Sequence, residues 1–111
     1  MAKLEFQAVS EAAAGPTWQA LFAQAWPACE AWFLTEGDAR RPSYADSIRA
    51  LRQHMPELWP TYQRLVELAG GGDRQARLLS LYCPAPFLSG CSQAVWPGAE
   101  PLLARNYDYA P

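Results

Sequence analysis

The sequence is poor in the residues that most active-site chemistry uses. It has a single histidine, His54, and three cysteines, Cys29, Cys83 and Cys91, in 111 residues. An odd cysteine count without Cys-x-x-Cys spacing argues against a disulfide framework and a structural zinc site, and a reducing compartment is the simpler assumption. Charge is scarce too. Nine basic residues, scattered or set beside acids, against eleven acidic ones give a net charge of −2, which supplies no electrostatic footprint for nucleic acid. The N-terminal Met1-Ala2-Lys3-Leu4-Glu5-Phe6 has no uninterrupted apolar stretch and carries an acid early, so it reads neither as a secretory signal nor as a membrane anchor. A cytoplasmic protein is expected. There is no internal repeat and no low-complexity tract. Gly70-Gly71-Gly72 is a poor phosphate loop, because no Gly-Lys-Ser/Thr follows it.

What is present suits a folded chain. Half of the residues are apolar and 13% are aromatic, five of them tryptophan, which is enough for a core and incompatible with disorder. The length allows at most one small domain. Leu4, Phe6 and Ala8 alternate with Glu5 and Gln7 as in a short strand. Trp18, Leu21, Phe22, Ala25, Cys29, Trp32 and Phe33 then recur at helical steps, with Pro27 expected to kink or split the helix and Gly37 to close it. Ser43-Tyr44-Ala45-Asp46 resembles a capping box opening a second helix, with Ala45, Ile48, Leu51 and Met55 on one side. Pro56 and Pro60 fall in the break and first turn of a third, carrying Leu58, Tyr62, Leu65, Val66 and Ala69. The triple glycine stops that helix, and Asp73 is expected to cap a short fourth through Leu79 to Tyr82. Cys29 and Cys83 read as apolar core residues in helical contexts, and His54 as a helix-terminal histidine beside Met55-Pro56. Pro84-Ala85-Pro86 delivers the chain in extended form to Gly90.

The last two dozen residues carry the functional signal. Ser89-Gly90-Cys91-Ser92-Gln93 opens an apolar strand, Pro97-Gly98 turns it, and Leu102-Leu103-Ala104-Arg105-Asn106-Tyr107-Asp108-Tyr109 returns. A Gly-Cys step opening a hairpin whose second strand reads Leu-Leu-Ala-Arg-Asn-Tyr-Asp resembles the N-terminal-nucleophile (Ntn) hydrolases. The branch is that of the acyl-CoA:6-aminopenicillanic acid acyltransferases, their bacterial linear-amide hydrolase relatives and, more distantly, the bile-salt hydrolases. Many members carry threonine after the cysteine; Ser92 keeps the hydroxyl.

The resemblance implies a precursor that cuts itself at Gly90-Cys91, so that Cys91 carries both the nucleophilic thiol and the amine that serves it. It implies Arg105 near the thiol and Asp108 near the freed amine as the further catalytic residues. The implied fold is α+β: residues 1–90 form a mainly helical pro-segment or α-subunit, and 91–111 begin the first β-hairpin of an αββα Ntn-hydrolase sandwich. The implied reaction is hydrolysis or transfer of an acyl group from a linear amide in a small molecule. No metal or organic cofactor is implied, and acyl-CoA is a co-substrate only if transfer is the reaction. An Ntn sandwich needs more strands than this sequence supplies, so the remainder of the catalytic domain is expected as a partner, continuing past Pro111 or as a second chain.

The chemistry is sound without the family. A thiol needs a base or an electrostatic partner to act near neutrality; an α-amine at residue 91 would titrate near ~8, which suits a general base. Arg105 supplies fixed positive charge. Arg105 and Asp108, three apart, point to opposite faces of a regular strand, so both reach one site only if the strand bends or ends between them. The competing reading is a non-enzymatic helical interaction module with the hairpin as docking edge; it leaves the Gly-Cys step and the Arg-Asn-Tyr-Asp run unexplained. A thiol peptidase pairing Cys91 or Cys83 with His54 ranks third, since no motif around either cysteine supports it. The aromatic stripe is either core or a surface that also packs on the catalytic domain.

Overall fold

The computed structural model describes residues 8–86 and 91–107, with the backbone alone at Cys91, Ser92, Asn106 and Tyr107. These residues form a mainly helical α+β arrangement, four α-helices followed by one two-stranded antiparallel sheet. The short strand expected around Leu4 and Phe6 lies outside the described residues.

Helix α1, Pro16–Phe33, starts with proline at its first position, where no amide hydrogen is needed. Gly15 has no side chain to cap it. Glu11 does so from upstream, accepting from the amides of Thr17 at 3.3 Å and Trp18 at 3.0 Å, and these bonds, Trp18's foremost, hold its carboxyl below the usual range. Pro27 neither splits the helix nor ends it. An internal proline costs about 3 kcal/mol, and here the ladder Trp18, Phe22 and Trp26, with ring centroids 4.9 and 5.6 Å apart, and the burial of Phe33 carry the helix across it. The helix stops at Phe33, earlier than Gly37. That glycine, at φ 94°, instead leads into a single 3-10 turn at Asp38–Arg40.

Helix α2, Tyr44–His54, opens as its sequence requires: the Asp46 amide donates to Ser43 Oγ at 3.2 Å, and the Ser43 hydroxyl donates to the Asp46 carboxylate at 2.9 Å. Its buried edge is turned from the expected stripe, with Ser47 and Leu51 inside while Ala45 and Met55 stay exposed. A 3-10 turn at Pro56–Leu58 leads into α3, Trp59–Leu68. Gly70 and Gly71 then take φ of 96° and 72°, and the Gly71 amide closes on the Val66 carbonyl at 2.9 Å, the left-handed ending for which glycine is suited.

Helix α4, Asp73–Leu79, corrects two expectations. Asp73 makes no cap bond; Gly72 holds that position, and the Asp73 carboxylate accepts from Arg77 at 3.1 Å one turn on. The helix also ends before Tyr82. The Ser80 hydroxyl donates to the Arg77 carbonyl at 2.6 Å and accepts from the Tyr82 amide at 3.2 Å, a local alternative to helical bonding. Leu81 and Cys83 follow in left-handed conformations, φ 54° and 43°. Cys83 is therefore neither helical nor core: it is exposed on a turn whose carbonyl is held by the Arg41 guanidinium at 3.1 Å. Cys29 lies half-buried on α1, and His54 ends α2 as expected.

The interior is small: Phe33, Leu51, Tyr62, Ala76 and Ala85, one from each helix and one from the extended exit segment. Tyr62 donates to the Ala76 carbonyl at 2.7 Å, and burial pushes its phenol up to about 12. Arg41 and Arg77 are also buried. Arg77 donates to the carbonyls of Pro42 at 2.8 Å, Asp38 at 3.2 Å and Arg41 at 3.4 Å, and pairs with Asp38 at 2.6 Å. Arg41 pairs with Glu36. Arg74 joins the same cluster through Glu30 at 2.8 Å and Asp38 at 3.6 Å. Gln19 fastens α1 to α3 by donating to the Leu68 carbonyl at 3.1 Å, and Arg64 of α3 donates to the Ala14 carbonyl, in the segment ahead of α1, at 2.5 Å.

Arg77→Met should strand the Pro42 and Arg41 carbonyls and cost about 2 kcal/mol in urea unfolding followed by helical circular dichroism; Arg77→Lys, a point donor that cannot reach all of the same acceptors, should recover only part. The pH limits follow from two groups. Asp38 is held below its ordinary range, first by its hydrogen bond from Arg77, so its contribution is full above the ordinary carboxyl pKa and lost as pH falls through the depressed one. Tyr62 acts oppositely: its contribution is full below about 10 and lost as pH rises towards about 12. Asp38→Asn should flatten the acid limb of a stability–pH profile and Tyr62→Phe the alkaline limb.

Candidate functional site

The candidate site is built on the hairpin. Strand β1, Cys91–Trp96, pairs antiparallel with β2, Leu102–Tyr107, in the register Cys91↔Tyr107, Ser92↔Asn106, Gln93↔Arg105, Ala94↔Ala104, Val95↔Leu103 and Trp96↔Leu102. Residues 97–101 turn the chain. A Cβ on Gly98 would stand 2.6 Å from Trp96 Nε1, so the indole lies against the turn and glycine is the residue that leaves room for it.

Alternation along the pleat sorts the positions. Positions 91, 93 and 95 share one face with 103, 105 and 107; positions 92, 94 and 96 share the other with 102, 104 and 106. Cys91 and Arg105 therefore belong to the same face, as diagonal neighbours across the two strands, a relation that spans roughly 7–8 Å and lies within reach of a long side chain. Gly90 and Asp108 lie outside the described residues. Sequence reasoning passed over Gln93, which stands directly opposite Arg105; the signal was available, since an antiparallel pair centred on the 97–101 turn matches the two positions.

The histidine and the other thiols sit elsewhere. His54 and Cys83 line a cavity of about 370 Å³ together with Asp46, Arg49 and Tyr82 on the helical part. Cys29 is on α1. None of these belongs to the hairpin.

Exposure of the hairpin is unusual for a finished sheet. Val95 and Leu103 are 68% and 62% exposed on one face, and Trp96 and Leu102 are 70% and 64% exposed on the other. A sheet with one wet side alternates apolar and polar residues, whereas a sheet covered on both sides is apolar on both. This hairpin has the second pattern without the cover.

No family model matches the chain, and no curated protein or solved structure matches it. Among the described residues, no helix is long and apolar enough to cross a membrane, and no three His, Cys, Asp or Glu groups are placed to hold a metal ion.

The bare faces predict that the 111-residue chain binds a hydrophobic dye and associates at micromolar concentration. Trp96→Ser with Leu103→Ser, one on each face, should lower the dye signal at least twofold while leaving helical circular dichroism unchanged; an unaltered signal would locate the sticky surface on the helices.

Proposed function

We propose that the chain is the N-terminal portion of a self-processing cysteine Ntn amidohydrolase or acyltransferase acting on linear amides. The observation that carries this reading is the register that gives Cys91 and Arg105 one face of the hairpin. A docking hairpin has no need of that pairing, which is why the non-enzymatic module ranks below it. The apolar residues on both faces add support, because an αββα sandwich covers each sheet with helices on one side and a second sheet on the other.

In this reading the chain is cut at Gly90-Cys91, and the amine freed on Cys91 takes the thiol proton as sulfur attacks the acyl carbon of the amide. The sulfur–carbon bond forms, the carbon–nitrogen bond breaks, and the proton passes to the leaving amine. Water then adds to the acyl carbon and releases the acid as its proton returns to the thiol; in the transfer case the sulfur attacks an acyl-CoA thioester instead, its carbon–sulfur bond breaks, the CoA thiol leaves with the proton, and an acceptor amine takes the acyl group and gives its proton back to the Cys91 sulfur. Arg105 favours thiolate over thiol by its fixed charge. Asp108 orients the amine, which requires the chain to leave the regular pleat beyond Tyr107. Residues 1–90 stay bound as the helical α-subunit, and the rest of the catalytic domain covers both hairpin faces in a reducing, cytoplasmic setting.

Mass spectrometry of the freshly expressed full-length protein tests this directly. Two chains meeting at Gly90-Cys91 are expected, with one uncut chain for Cys91→Ala, since the same thiol serves scission and turnover. A wild-type protein that stays whole, or an alanine variant that still splits at this bond, defeats the reading.

A further inference from the structure

We infer that the helical part carries a saccharide site: a cavity of about 430 Å³ between the 38–44 segment and α4 takes a single neutral hexopyranose ring. The inference is independent of the hairpin and of the role proposed for Cys91. Asp38, Arg41, Ser43, Tyr44, Asp73 and Arg77 line the cavity, and the hydrogen-bonding capacity left over on that wall selects the ligand.

Most of the capacity is spent. Every N–H of Arg77 has an acceptor: Nε uses the Pro42 carbonyl, Nη1 uses Asp38 and Asp73, and Nη2 uses the carbonyls of Asp38 and Arg41. The Ser43 hydroxyl is closed on Asp46. Three groups remain. Arg41 is only 8% exposed, and while its Nη1 and Nη2 donate to the Cys83 carbonyl and to Glu36, its Nε is buried with no acceptor among the described residues. Such an orphan on a charged group calls for an occupant. Asp73, whose side chain is 64% exposed, gives Oδ2 to Arg77 and has Oδ1 to spare. The Tyr44 ring is 48% exposed.

One donor, one acceptor and one aromatic face are therefore unspent. An anion would answer Nε and then stand against two carboxylates; a cation would answer Asp73 and leave Nε orphaned beside a second positive charge. The formal charges of the lining cancel, two arginines against two aspartates, so neither sign is drawn in from solvent. Hydroxyl groups meet both needs, since each donates once and accepts through two lone pairs. A pyranose ring carries hydroxyls around its rim, one to accept from Arg41 and a neighbour to donate to Asp73. It also presents a face of C–H bonds, whose positive ends suit the negative face of the Tyr44 ring. A single buried water would also satisfy Nε, but it would make no use of Asp73 or Tyr44.

Saturation-transfer NMR on the full 111-residue chain tests the site, with glucose, galactose, mannose and N-acetylglucosamine as separate probes, each free and as its methyl pyranoside. At least one ring should bind saturably in the millimolar range, with the strongest transfer to the C–H protons of one face. Binding of the free sugar alone identifies a small metabolite; equal binding of the methyl pyranoside identifies the terminal ring of a glycan. Asp73→Ala should weaken binding about tenfold, the loss of one hydrogen bond to a charged group. Tyr44→Ala should remove the one-sided transfer pattern, and Tyr44→Phe should keep it. Both positions are exposed, and unchanged helical circular dichroism will confirm that the variants fold. Arg49→Ala, in the cavity beside His54 and Cys83, should leave binding unchanged. No saturable signal from any probe, the result that a lone water at Arg41 predicts, overturns the inference. A signal that survives both Asp73→Ala and Tyr44→Ala overturns it as well.

Discussion

The helical part of this protein depends on one buried cation. Arg77 lies in a seven-residue helix too short to hold itself in water, and its guanidinium collects carbonyls and carboxylates from the 38–42 segment, 35 to 39 residues upstream. Its ring contact with Phe33, 5.6 Å from guanidinium carbon to centroid, places it against the end of α1 as well. With five interior apolar residues among those described, the packing is fastened largely by arginines: Arg77 ties α4 to the loop after α1, Arg41 ties that loop to the turn at Cys83, and Arg74 ties α4 back to Glu30 on α1. Fork-shaped donors suit this work, because each can satisfy several carbonyls that water can no longer reach.

The hairpin is stabilised differently. A two-stranded ribbon is marginal alone, and every described side chain on β1 and β2 is exposed. Its geometry is set locally, by the register and by the Trp96 indole over Gly98, while its burial is left to something else. The helical part supplies its own interior; the hairpin supplies two exposed apolar faces. The proposed function assigns these two tasks to a pro-segment and to the first strands of a catalytic sheet.

Legibility in the sequence divides along the same line. Signals that act within a few residues were readable: the Ser43–Asp46 cap, prolines opening α1 and α3, glycines ending α3, Pro97-Gly98 between two strands. Signals that act across the chain were not. Asp73 has the composition of a cap, but its carboxylate is taken by Arg77. Cys83 sits in an apolar stretch that reads as helix until the Ser80 hydroxyl and the distant Arg41 reshape it. Ser47 is buried on α2 although its polarity places it outside any apolar stripe. Pro27 reads as a break because the cost is local and the compensating aromatic ladder spans two helical turns. At the candidate site, Cys91 and Arg105 were legible as residue types in a motif; that their positions share a face became visible only once the strands were set in register.

That common face has a consequence for how the site could be lost. Two residues share a side of a ribbon because of parity, an arithmetic property of chain length between them. One codon inserted between Leu102 and Arg105 could leave composition, hydropathy and the Arg-Asn-Tyr-Asp string intact and still carry the arginine to the opposite side of the pleat. A substitution at Ala104 would leave the parity untouched. In a lineage carrying this hairpin, insertions and deletions of single residues in the second strand would be the silent lesions, invisible to any comparison that scores motifs alone.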